Sequence, residues 1–201
     1  MVTVTECTTL GKGRLRFHLD NGTELVLYRG EAKQFRMREG STLSDEEEHQ
    51  LIYEVVGKRA KRRTMHLLEQ MDRTEQQLRE KLKQGGYPQA CIDLALEYVK
   101  SFHYVDDYRY ACTYINYRQD RMSRYQLKVK LYGKGVSGEL IDRALEACYE
   151  GDEQEQIIRL LEKKKFDAQN SDQKEFTRVY QYLMRRGFRS NDVLRAMKSK
   201  Q

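Results

Sequence analysis

Apolar residues recur at helical spacing over most of the chain. The clearest stretch runs from Tyr108 to Glu146 and reads as helix, short link, helix, glycine turn, helix. Ser123 is placed to cap the middle helix, with Gln126 three residues on as the second half of a capping box. Leu127 and Leu131 then share one face. Gly133 and Gly135 end the helix, and Ser137 caps the next, whose stripe Ile141, Ala144, Leu145, Cys148 has the spacing 0, 3, 4, 7. Tyr110, Ala111 and Tyr114 share a face of the first helix and are expected in the core.

The turn glycine reveals copies of this pattern. Gly86, Gly135 and Gly187 are separated by 135 − 86 = 49 and 187 − 135 = 52 residues. Leu82, Leu131 or Leu183 stands four residues before each. Ile92, Ile141 or Val193 stands six after, and Ala95, Ala144 or Ala196 nine after. Caps recur as Thr74 with Gln77, Ser123 with Gln126 and Asp172 with Glu175. The chain therefore contains three tandem three-helix units, aligned over their second and third helices.

Residues 2–29 alternate in the manner of strands. Leu15, Phe17 and Leu19 interleave with Arg14, Arg16 and His18, and Asp20-Asn21-Gly22 is a hairpin turn leading to Leu25 and Leu27. Val2 and Val4 suggest a third strand, and residues 30–37 a short helix. Ser44 with Glu47 opens a further helix through Val56, which Gly57 is expected to end or bend. Pro88, the single proline, is expected in the first turn of a helix. The expected architecture is mainly α: tandem three-helix repeats in an elongated curved stack, with a small N-terminal β-hairpin segment. The expected segments are 1–43 (hairpin), 44–105 (lead-in helix and first unit), 106–150 (second unit) and 151–201 (third unit).

Composition narrows the function. Charged residues make up 34% and the hydrophobic set 39% of 201 residues, which fits units that bury their stripes mainly against neighbours. No apolar run is long enough to span a bilayer and no signal-peptide pattern opens the chain, so a cytoplasmic protein is expected. Cys7, Cys91, Cys112 and Cys148 are scattered without a CxxC and read as small buried hydrophobes. Residues 1–57 hold 7 Lys/Arg against 10 Asp/Glu, a net of −3, and the remainder holds 30 against 21, a net of +9. The helical region thus carries a basic field suited to a polyanion or an acidic protein surface.

No catalytic constellation is present. Asp106 and Asp107 are adjacent and point differently, which suits capping rather than acid–base work. His18, His49, His66 and His103 have no partners at metal-ligand spacing, and no P-loop or nucleophile elbow occurs. No enzyme activity, metal or cofactor is expected. The distinctive feature is seven tyrosines between Tyr104 and Tyr132, of which Tyr117, Tyr125 and Tyr132 interleave with Arg118, Arg121, Arg124, Lys128, Lys130 and Lys134. Such a mixture suits single-stranded nucleic acid or a protein interface. Lys61, Arg62 and Arg63, within the basic run 58–63, and Arg185 and Arg186 are additional basic candidates.

Two runs resemble the RecX family. One is Tyr104-Val105-Asp106-Asp107 with Tyr110-Ala111, Tyr114-Ile115 and Arg118; the other is Leu131 to Ser137 followed by Leu140-Ile141 and Ala144-Leu145. Family members often carry Phe where this chain has Tyr110. The likeness covers residues 58–201, and the N-terminal segment is similar to the extension of longer RecX proteins from Gram-positive bacteria. The resemblance implies a monomeric regulator that enters the groove of the RecA–DNA filament. It would restrain strand exchange, ATP hydrolysis and coprotease activity, within homologous recombination, DNA repair and the SOS response. The six interleaved cations are inferred from charge as the contacts to RecA or to single- or double-stranded DNA. The alternative is a DNA-binding protein acting independently of RecA, although Leu140 to Glu150 carries Asp142, Glu146 and Glu150 against Arg143 alone. A helical scaffold for some other protein is a third option.

Overall fold

The computed structural model describes residues 1–199 and divides into two units, Met1–Asp106 and Asp107–Gln201. In the first, strands β1 (Val2–Thr9), β2 (Arg14–Leu19) and β3 (Glu24–Tyr28) form an antiparallel meander. Cys7 pairs with Phe17 and Phe17 with Leu25, so the apolar positions of all three strands fall on one face. A bulge between Val4 and Glu6 shifts the β1–β2 register. The hairpin turns at Gly22, whose φ of 81° is the left-handed region that the Asn-Gly pair accommodates. A two-residue strand, β4 (Thr42–Leu43), pairs with Val2 and Thr3 and completes the order β3-β2-β1-β4. It is too short for any alternation pattern to announce.

Helix α1 (Arg29–Gln34) follows β3 directly. Helix α2 (Asp45–His49) begins at the expected capping box, in which Ser44 Oγ accepts from the Glu47 N–H and the Glu47 carboxylate accepts from the Ser44 N–H. The chain then winds as a π-helix over Gln50–Gly57 and continues into α3 (Lys58–Gln70). Gly57 therefore neither ends nor bends the helix. A Cβ there would press on Leu94 and on the Ile52 carbonyl, so glycine permits close packing against the helix that carries Leu94. The widened turn leaves the Ile52 carbonyl as the acceptor for the Cys91 thiol, at 3.2 Å.

Helices α4 (Glu75–Gln84) and α5 (Gln89–Ser101) complete the first three-helix unit with α3. Pro88 stands at the N-cap of α5, one position before the expected first turn, with ψ of 153°. Leu78, Leu82, Ile92, Ala95, Leu96 and Val99 join Phe17, Leu25, Leu27, Leu51 and Val56 in one core. Gly86 fixes the joint between helices and sheet: at φ 77° its missing side chain leaves room for Val26, whose N–H donates to the Gly86 carbonyl at 3.1 Å. Arg59 reinforces it by pairing with Glu31, donating to the Val26 carbonyl and lying over the rings of Tyr28 and Tyr87 at 5.0 and 5.4 Å.

The second unit holds α6 (Asp107–Arg118), α7 (Arg124–Tyr132) and α8 (Gly138–Cys148), then α9 (Glu153–Lys163), α10 (Gln173–Arg185) and α11 (Ser190–Ser199). The first triplet encloses Ala111, Ile115, Leu127, Leu131, Val136, Ile141, Ala144 and Leu145. The second encloses Ile157, Leu161, Val179, Leu183, Val193, Ala196 and Met197. Among the described residues the aligned repeat positions Leu82, Leu131, Leu183, Ile92, Ile141 and Val193 are all buried. Gly135 and Gly187 adopt φ of 85° and 78° and perform the turn between paired helices as Gly86 does. After Gly135 the Val136 N–H donates to the Leu131 carbonyl at 3.2 Å, and after Gly86 the Tyr87 N–H donates to Leu82 at 3.3 Å. Among the described residues no helix is long and apolar enough to cross a membrane.

Candidate basic interaction face

Ser123 is the pivot of the candidate site. Its hydroxyl accepts from the Gln126 N–H at 3.2 Å, capping α7, and donates to the Arg186 carbonyl at 2.6 Å. The cap of the second repeat's middle helix is therefore fastened to the turn of the third repeat. Beside it, Gly187 lies flush against the ring of Tyr125, leaving no room for a side chain. These two contacts bring the first turn of α7 against the end of α10.

Between them lies a concavity of about 320 Å³, lined by Arg121, Met122, Gln126, Lys130, Tyr182, Arg185 and Arg186. Four of the seven are cationic and none is a carboxylate. Arg186 lies over the Tyr182 ring at 4.8 Å, and Lys164 approaches the same ring at 4.6 Å. Among the described residues Arg121, Lys130, Arg185 and Arg186 make no ion pair. Cations this close repel one another, and an anion entering the concavity relieves that repulsion.

The structure distributes the six sequence-derived cations unevenly. Arg121 and Lys130 line the concavity. Lys128 is paired with Asp142 at 2.5 Å on an exposed surface. Arg124, although exposed, is engaged: its Nη1 donates to the Leu145 carbonyl at 3.3 Å and its guanidinium lies 5.8 Å from the Tyr149 ring. Burial, with Glu153 adding to it, pushes the Tyr149 hydroxyl up to about 12, so that ring stays neutral at any physiological pH. Arg118 and Lys134 approach the Tyr114 ring at 5.6 and 5.4 Å. Tyr110 and Tyr114 stack at 6.4 Å and are half-buried against the core, while Tyr117 and Tyr132 are 82% and 72% exposed.

The additional candidates also separate. Arg185 and Arg186 join Arg121 and Lys130 in the concavity. Lys61, Arg62 and Arg63 stand on α3 in the first unit, where Lys61 lies 5.1 Å from the Tyr98 ring and Arg62 and Arg63 are exposed. Sequence reasoning missed Tyr182, Met122 and Gln126 as lining residues. Tyr182 stands three residues before Arg185 on α10, a spacing that puts both on one helical face and marks it in retrospect. Among the described residues no group of three or more His, Cys, Asp or Glu could hold a metal.

Comparison with known proteins follows the repeats. The first RecX three-helix domain matches residues 60–98, the second 106–145 and the third 151–197. This chain belongs to the RecX family. A regulatory protein RecX of Caldanaerobacter subterraneus subsp. tengcongensis is 29% identical over 80% of this chain and 80% of its own length. That of Clostridium acetobutylicum is 25% identical over 98% of this chain and 94% of its own. The Geobacillus kaustophilus protein is 33% identical over 77% of this chain but 59% of its own length. A crystal structure of regulatory protein RecX shares the fold, with a TM-score of 0.64 at 21% identity over 96% of this chain and 97% of that one. RecX from Lactobacillus salivarius shares it with a TM-score of 0.62 at 17% identity, over 72% of this chain and 96% of that one. This RecX protein is thus a mainly helical regulatory protein of three-helix domains, preceded by a small antiparallel sheet.

Proposed function

We propose that the protein binds RecA filaments without catalysing a reaction and restrains their recombinase, ATPase and coprotease activities. It acts as a cytoplasmic monomer in this reading. The observation that carries the proposal is the concavity of Arg121, Lys130, Arg185 and Arg186, formed where two RecX repeats are fastened together. Its chemistry suits an acidic protein surface or the phosphates that such a filament carries. Arg118, Arg124, Lys128 and Lys134 are weaker contacts in this reading, because each is already engaged with a carboxylate, a carbonyl or a ring.

The test is charge reversal. Arg121, Lys130 and Arg185 are changed together to Glu, and inhibition of RecA's DNA-dependent ATP hydrolysis is titrated. Retention of the far-UV spectrum with at least a tenfold rise in the half-inhibitory concentration is expected. A folded variant that inhibits like the parent contradicts the assignment.

A second reading, DNA binding independent of RecA, draws on exposed Tyr117 and Tyr132 among basic side chains. It predicts affinity for DNA alone that falls steeply with salt.

A further inference from the structure

The two cysteines of the second repeat pack on one cluster between α6 and α8. Cys112 lies on α6 and Cys148 ends α8, helices that pack directly on each other. Both side chains are half-buried against the same cluster of Ala111, Ile115, Ile141, Ala144 and Leu145. Tyr108, one helical turn below Cys112, packs against the same cluster. The Arg143 guanidinium, 4.3 Å from the Tyr108 ring, clamps α8 to α6 at the same place. The other two thiols stand in the first unit, where Cys91 is fully buried and bonded to the Ile52 carbonyl and Cys7 lies on β1.

We propose that Cys112 and Cys148 form a reversible dithiol site that a low-molecular-weight disulfide such as oxidised glutathione converts to an intramolecular disulfide. In the first step the Cys112 thiolate attacks the glutathione disulfide, forming a protein–glutathione bond and releasing one glutathione thiol. In the second, Cys148 loses its proton and attacks the Cys112 sulfur, releasing the second glutathione. Two protein thiols are oxidised and one glutathione disulfide is reduced to two thiols. Burial, with neighbouring Cys112 adding to it, pushes the Cys148 thiol up to about 11. A thiol so raised is a poor attacking thiolate, so Cys148 serves as the resolving partner. The crosslink closes a loop of 148 − 112 = 36 residues and locks α6 to α8. It stands independently of any action on RecA.

The test uses the native full-length chain incubated with oxidised glutathione, quenched with acid and digested with trypsin without reduction. The expected product joins the peptide Tyr110–Arg118 to Ala144–Arg159, with native free thiols falling from four to two and returning on addition of dithiothreitol. Cys112→Ser and Cys148→Ser, each verified as folded by circular dichroism, should lose the joined peptide. The remaining cysteine of the pair should then stop at the glutathione adduct. If the parent protein yields only glutathione adducts on separate peptides, or disulfides between chains, the proposal is overturned.

Discussion

Ser123 Oγ donates to the carbonyl of Arg186 at 2.6 Å, across 63 residues of chain. A single hydroxyl thereby caps α7 and orders the turn that carries Arg185 and Arg186. The same position in the first repeat, Thr74, caps α4 by a full capping box with Gln77. Ser123→Ala removes the cap and leaves the Arg186 carbonyl without this donor. A loss of about 1–3 kcal/mol in urea unfolding is expected, accompanied by weaker RecA inhibition because the cationic concavity loosens.

Gly187 and Gly138 make a matched pair of substitutions. At Gly187 an added methyl would collide with the Tyr125 ring, and φ is 78°. Gly187→Ala should therefore cost about 2–3 kcal/mol. Gly138 has open space around its Cα and no positive φ, at the first position of α8. Gly138→Ala should be neutral or slightly stabilising. Thermal melts of both variants check the contrast.

Arg59 joins sheet to helices in the first unit. Its side chain and that of Glu31 are 18% and 20% exposed, so the pair is largely shielded from water. Arg59→Met retains bulk but strands the Glu31 carboxylate and the Val26 carbonyl. The variant should lose about 2–4 kcal/mol, and protection of the sheet amides in hydrogen exchange should fall with it.

Acid should destabilise the first unit through α4 and α5. Hydrogen bonding by Lys100, opposed by burial and aided by Arg79, holds Glu75 below its usual 4.5. Arg79 and then Gln89 hold Asp93 below its usual 3.8. Because both carboxylates titrate lower in the folded state, their stabilisation is complete above the unfolded values and disappears as pH falls through the folded ones. Unfolding midpoints should decline below about pH 4.5, and Glu75→Gln should flatten that decline. An unchanged slope in the variant would remove Glu75 from the account.

Much of the fold was legible because its signals are local. Caps at Ser44, Thr74, Ser123, Ser137 and Asp172 accept from backbone N–H groups as the spacing implied. The turn glycines take positive φ because the geometry after each paired helix demands it. What stayed hidden depends on contacts between distant segments. The π-helical register through Gly57 answers to Leu94, and β4 exists only because Val2 and Thr3 offer an edge. Charge patterning singled out the cations of α7, but it could not tell Lys128, paired with Asp142, from Lys130, which lines the concavity with Arg185 and Arg186. That Cys112 and Cys148 join one cluster was hidden for the same reason, since their separation in sequence resembles no metal or redox motif.

The Lys128–Lys130 distinction is itself testable. Lys130→Ala should raise the half-inhibitory concentration on RecA several-fold, whereas Lys128→Ala, losing an exposed pair with Asp142, should change it by less than about twofold.

The most direct test of the central claim is RecA's single-stranded-DNA-dependent ATP hydrolysis with the parent protein titrated in at about physiological salt. Inhibition well below one molecule per RecA is expected, undiminished when free DNA is added in excess. Inhibition that appears only when the protein is abundant enough to coat the DNA, and that excess DNA abolishes, would contradict the claim.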